Sequence, residues 1–154
     1  MVAVKREAII AMLSLIVVIV TSYLALSIPI ERILSHSGYP WIREYPWYFY
    51  WRVALANLIL WLIALLLLSL DINQARYLAL LTAITFTMFH YALLKISKGS
   101  EYSVRITPLV YIVHLSEYQH ETIYLDLGQI VILVTIANMI SWKTIVKKIK
   151  RYLS

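Results

Sequence analysis

A chain of 154 residues has the length of one ordinary soluble domain, but 62% of its residues are hydrophobic and only 14% charged, which places it in the membrane class instead. Lack of cysteine excludes disulfides, thiolate nucleophiles, iron–sulfur ligation and thiolate zinc sites, and with them a quinone-coupled thiol oxidoreductase. The formal charge of +6 gathers on one tail, a pattern that membrane orientation explains better than nucleic acid, so no nucleic-acid partner is expected.

Four stretches carry no charge: Ala8 to Ile30, Val53 to Leu70, Tyr77 to Leu94 and Leu127 to Trp142, with lengths of 23, 18, 18 and 16 residues. A helix needs roughly 20 apolar residues to cross a hydrocarbon core of about 30 Å, and the shorter runs can borrow flanking aromatic or snorkelling residues. The expected fold is therefore all-α, an integral membrane four-helix bundle with structured extracytoplasmic loops. It forms one domain over residues 1–154, with spans near 8–30, 48–70, 76–95 and 123–142 and a basic juxtamembrane tail over 143–154. The first run is read as a retained span, because it is longer than the apolar region of a signal peptide.

After the first span comes an aromatic stretch. Eight of the thirteen residues from Tyr39 to Trp51 are aromatic, Trp41 and Trp47 among them, and Pro40 and Pro46 keep the residues before them extended. Tyr and Trp favour the headgroup zone, so the segment is expected to run along the membrane surface before the second helix descends. It reads as an aromatic anchor, with a docking face for a partner or a flat amphipathic ligand as the sharper alternative. Between the second and third runs only Asp71 to Arg76 remain, enough for a tight hairpin and nothing more.

That hairpin puts Asn57 and His90 at similar depth. They are expected to join the second and third helices by a hydrogen bond, and the functional alternative makes His90 a proton relay or a cofactor ligand. On the third helix Ala75, Ala79, Ala83 and Thr87 recur every four residues, a small-residue interface for another helix of this chain or of a partner.

From Val104 to Leu115 the next connection is apolar and β-branched around Pro108, consistent with a hairpin strand, an interfacial helix or a re-entrant segment. It leads into the densest group of potential ligands, His114, Glu117, His120 and Glu121. These residues read first as a solvated polar turn leading into the last span; the alternative is that the stretch is helical, so that 114, 117 and 121 share a face and bind zinc, manganese or iron. A bis-histidine haem is disfavoured, because only His90 lies clearly within a span and His114 would have to dip inward to meet it. Asp126 is expected to cap the last helix, with Arg105 or Lys98 as its partner.

Lys143, Lys147, Lys148, Lys150 and Arg151 follow the last span, where they face anionic lipid headgroups. Eight Lys and Arg fall on the side of the termini and six on the other, so both termini are expected in the cytosol of a multi-pass plasma-membrane protein. No stretch spells out a reaction. The expected role is a non-catalytic accessory or assembly subunit of a larger membrane complex, a respiratory one being an example. The alternatives are a small oligomeric transporter or channel component, and a membrane enzyme using a His/Glu metal site. The bilayer and larger subunits, or further copies of the chain, are the expected partners.

Overall fold

The structure, a computed structural model, describes residues 2–28, 46–96, 102–115 and 120–140. Among these lie four helices, α1 (Val2–Ser27), α2 (Pro46–Ser69), α3 (Ala75–Ile96) and α4 (Leu127–Met139). Between α3 and α4 lie three strands, β1 (Tyr102–Thr107), β2 (Val110–Leu115) and β3 (His120–Leu125). Helices α1, α2 and α3 are each long and apolar enough to cross a membrane. Tyr39, Trp41, Lys98, Glu117, Lys143, Lys147, Lys148, Lys150 and Arg151 lie outside the described residues.

The all-α expectation is corrected by the sheet. The strands form an antiparallel meander in the order β1-β2-β3, with Arg105 opposite Ile112 and Ile112 opposite Ile123. The β-branched run from Val104 to Leu115 thus adopts the strand alternative, folding back at Pro108 and Leu109. The expected fourth span is corrected too. Its first residues, Ile123 to Leu125, belong to β3, so the helix opens only at Leu127, and its 13 residues rise about 20 Å. The aromatic stretch also departs from expectation. Helix α2 already begins at Pro46, where a fixed φ and a missing N–H suit a first helical turn, so Trp47 and Trp51 are helical rather than part of a surface-running loop.

A tight hairpin joins α2 and α3. Asp71 sits at φ 62° and closes a Schellman motif, in which Ile72 N–H donates to Leu67 O at 3.0 Å and Asp71 N–H to Leu68 O at 3.1 Å. Glycine is the usual residue there, and Asp is one of the few others that tolerate this backbone. The two helices then pack through small residues. Ala54, Ala64, Ala79 and Ala83 are buried with Trp61, Phe86 and Val131 in one cluster, so Ala79 and Ala83 of the stripe pack with residues of the chain's own α2 and α4, and Ala75 is buried as well. Thr87, at the end of the stripe, donates to the Gly128 carbonyl at 3.3 Å. Trp61 donates its indole N–H to Thr135 Oγ1 at 2.8 Å and ties α2 to α4.

Helix α1 is attached more lightly. Ser14, Val18 and Ala25 make a narrow buried seam at helical spacing, while most of its large aliphatic side chains face outward. Asn57, fully buried on α2, donates its amide to Ser22 of α1 at 3.0 Å and to the Val53 carbonyl at 2.9 Å. The polar contact expected between Asn57 and His90 is therefore made to α1 instead. A contact of this kind between apolar helices contributes about 0.6 kcal/mol. At the hairpin end, Glu7 accepts hydrogen bonds from Arg76 and Tyr77, both at 2.5 Å.

Candidate functional site

The polar centre of the molecule lies at the opposite end, where α3, the sheet and α4 meet around Asp126. Asp126 is the N-cap of α4, with extended backbone, and its Oδ1 accepts the Gln129 N–H at 3.0 Å. A side-chain acceptor at this position satisfies a backbone donor that has no partner inside the helix, and negative charge is favoured there by the helix dipole. Its Oδ2 accepts two further bonds, from Tyr91 Oη and from Gln129 Nε2, each at 2.9 Å. The side chain is fully buried.

Gln129 does more than serve Asp126. Its Oε1 accepts the Leu109 N–H at 2.9 Å, and Nε2 also donates to the Thr107 carbonyl at 3.0 Å. The Asp126 N–H donates to the Leu109 carbonyl at 2.8 Å. Two residues at the start of α4 thus clamp both sides of the β1–β2 turn. That turn needs holding, because Leu109 has φ 64°, a conformation that costs a residue with a Cβ about 1–3 kcal/mol. The Asp-x-x-Gln spacing resembles a capping box, with the glutamine redirected from the cap's own N–H to the turn.

His90 lines the other flank. Its ring stacks on Phe86 with centroids 5.5 Å apart and meets Tyr111 of β2 edge-on at 6.2 Å. Tyr111 in turn stacks on Tyr124 at 5.3 Å, and burial pushes its phenol above the ordinary value, with Tyr124 and Asp126 acting in the same sense. His90 Nε2 is 3.8 Å from Asp126 Oδ1, beyond hydrogen-bond reach, and is buried without a hydrogen-bond partner. Gly128 makes this approach possible. A Cβ there would lie 3.1 Å from His90 Cδ2, 3.2 Å from Asp126 Oδ1 and 3.3 Å from Tyr91 Cζ.

Of the expected ligand group, the strands bring two members together, and Glu117 lies outside the described residues. His114 and Glu121 face each other across β2 and β3, with Nδ1 and Oε1 3.6 Å apart and both side chains substantially exposed. His120 pairs in register with Leu115, so the shared helical face expected for 114, 117 and 121 does not form. Among the described residues no group of three or more His, Asp or Glu side chains is placed to hold a metal. His114 lies three positions along β2 from Tyr111, on the opposite face, and so is not delivered beside His90 as a haem pair requires. Asp126 takes Tyr91 and Gln129 as partners in place of Arg105, which is exposed on β1.

Tyr91, Gln129, Gly128 and Tyr111 were not singled out by the sequence reading. Only the Asp126-x-x-Gln129 spacing carried a local signal; the others acquire meaning through contacts made between elements. Chemically, the cluster is a closed lock whose carboxylate oxygens are engaged within the chain. The chain matches no protein-family model, and no curated protein and no solved structure is detectably similar to it.

Proposed function

We propose that this chain is a multi-pass plasma-membrane protein with both termini in the cytosol, acting as a non-catalytic accessory or assembly subunit of a larger membrane complex. The sheet, on the outer side, is the element its partner covers. One observation carries this reading. β3 is an edge of the sheet among the described residues, and its Ile123, Tyr124 and Leu125 are 67%, 46% and 59% exposed. An open strand edge leaves backbone N–H and C=O groups unpaired, which hydrocarbon does not tolerate, so this edge does not lie in lipid. In water, an apolar edge is a template for pairing with another chain. A partner that adds a strand to β3 or lays an apolar face on it satisfies both constraints.

The lock at Asp126 supports the same role. It holds the sheet on the helices through intrachain bonds and leaves the β3 edge presented rather than folded inward. The charge bias along the sequence supports the orientation. The test is extraction in mild detergent from native membranes, with a photo-crosslinker at Ile123 and a control crosslinker at Arg105 on the opposite edge strand. Stoichiometric larger subunits, captured from Ile123 in preference to Arg105, are the expected result. Consistent recovery as a lone chain or homo-oligomer with no crosslink from Ile123 would count against the proposal and favour transport.

A further inference from the structure

Between the last turns of α3 and strand β1 lies a cavity of about 220 Å³, lined by Tyr91, Leu94 and Lys95 of the helix and Val104 and Ile106 of the strand. Val104 and Ile106 are two positions apart on β1 and so share a face, while Arg105 between them belongs to the other face. The Tyr91 ring is a fixed wall, because its hydroxyl donates to Asp126 Oδ2 at 2.9 Å. With that hydroxyl engaged, the Lys95 ammonium is the polar side-chain group of this lining left for a ligand. Lys95 is exposed, and among the described residues it has no ion-pair partner.

The position of Lys95 narrows the chemistry of that ligand. It is the last residue but one of a 22-residue helix, whose length of about 33 Å matches the thickness of a hydrocarbon core. When α3 spans a bilayer, the ammonium therefore lies at the boundary between acyl chains and headgroups, where a lysine stem stays in apolar surroundings and its charge meets anionic headgroups. β1 is an edge of the sheet among the described residues, and its unpaired backbone groups keep it from sinking further into hydrocarbon. The cavity is also smaller than the roughly 300–1,000 Å³ that encloses a drug-sized ligand. It suits one part of a molecule whose remainder lies in the bilayer, with an apolar segment against Leu94, Val104 and Ile106 and a negative charge at Lys95.

We propose that this cavity binds an anionic phospholipid of the leaflet on the sheet side, with its charged headgroup at Lys95 and the upper part of one acyl chain along Leu94, Val104 and Ile106. The inference requires that α3 spans a bilayer and does not depend on the role of the chain in an assembly.

The experiment is native mass spectrometry of the full chain in mild detergent, with dioleoylphosphatidylglycerol or with dioleoylphosphatidylcholine, which has the same chains and no net charge. The wild-type chain is expected to retain phosphatidylglycerol about fivefold better, the worth of one cationic side chain beside an anionic headgroup. Lys95→Gln is expected to abolish that preference. Arg105→Gln, which removes an equal charge from the opposite face of β1, is expected to preserve it. A lysine in the last turn also complements the carbonyl end of its own helix, but that role alone would not discriminate between the two lipids. Ile106→Trp, which narrows the cavity at a position 53% exposed, is expected to weaken retention of phosphatidylglycerol while leaving thermal melting unchanged. Equal retention of the two lipids by the wild-type chain would overturn the assignment. An equal loss of preference in Lys95→Gln and Arg105→Gln would overturn it as well, by tracing the effect to net charge, and that comparison stands even if Ile106→Trp fails to fold. Displacement of phosphatidylglycerol by an equal concentration of inorganic phosphate would assign Lys95 to a free anion instead of a lipid.

Discussion

Two carboxylates anchor opposite ends of this molecule, and they differ in burial more than in partners. Glu7, at the hairpin end, accepts from Arg76 and Tyr77, and its side chain is 46% exposed. Asp126, at the sheet end, accepts from Tyr91 and twice from Gln129 with no exposure at all. Glu7 has the full positive charge beside it, yet water can replace Arg76 at little cost. Asp126 is closed off from water, so removing the carboxylate would leave Tyr91 Oη and the Gln129 N–H without the acceptor they have here. The difference teaches that a formal ion pair in water is expected to be the weaker fastening, and a buried carboxylate held by neutral donors the stronger.

The comparison breaks most easily at Asp126. Asp126→Ala removes the cap of α4 and leaves Tyr91 Oη and the Gln129 N–H without their acceptor, while Gln129 Nε2 keeps the Thr107 carbonyl, with an expected loss of about 3 kcal/mol, read as a lowered melting temperature in detergent. Asp126→Asn keeps the cap and should lose less. Gly128→Ala follows, because its Cβ must push His90, Asp126 or Tyr91 aside; the cost of such crowding is about 1–3 kcal/mol, again read by melting. If Gly128→Ala melts like the wild type, the packing around His90 is looser than described.

Gln129→Ala sharpens the comparison locally. It frees the Leu109 N–H and the Thr107 carbonyl at a turn whose backbone is already strained, so hydrogen exchange at Leu109 should rise while α2 and α3 stay protected. Unchanged exchange there would show that Asp126 alone holds the turn. The smallest effect is expected for Glu7→Gln, which retains an acceptor for Tyr77 and Arg76 at an exposed site. Its melting curve should overlay that of the wild type, and a drop comparable to Asp126→Ala would reverse the ranking of the two ends.

The helices were legible in the chain because charge-free length is a local property. α1, α2 and α3 overlap the first three uncharged runs, and the six residues between the second and third could make only a hairpin. The Ala75, Ala79, Ala83 spacing did not name the neighbour of that face, since small residues admit any helix. β3 was missed for a related reason. His120 to Leu125 carries polar and apolar residues that fit a turn or a helix as well as a strand, and only pairing with β2 makes it one. The pairing of His114 with Glu121 was not legible for the same cause, since a cross-strand contact is set by the register of β2 with β3 rather than by helical spacing.

What the sequence determined by itself, then, is whatever depends on counting along the chain: the three long apolar helices, the hairpin and the cap at Asp126. The tertiary structure alone decided what each polar side chain touches. Asn57 went to Ser22 rather than His90, Asp126 to Tyr91 rather than Arg105, and Arg52 to a buried place beside the Tyr48 ring. Hydrogen bonds between elements reach only about 3 Å, so their partners are set by helix rotation and strand register, which residues far apart in the chain determine together.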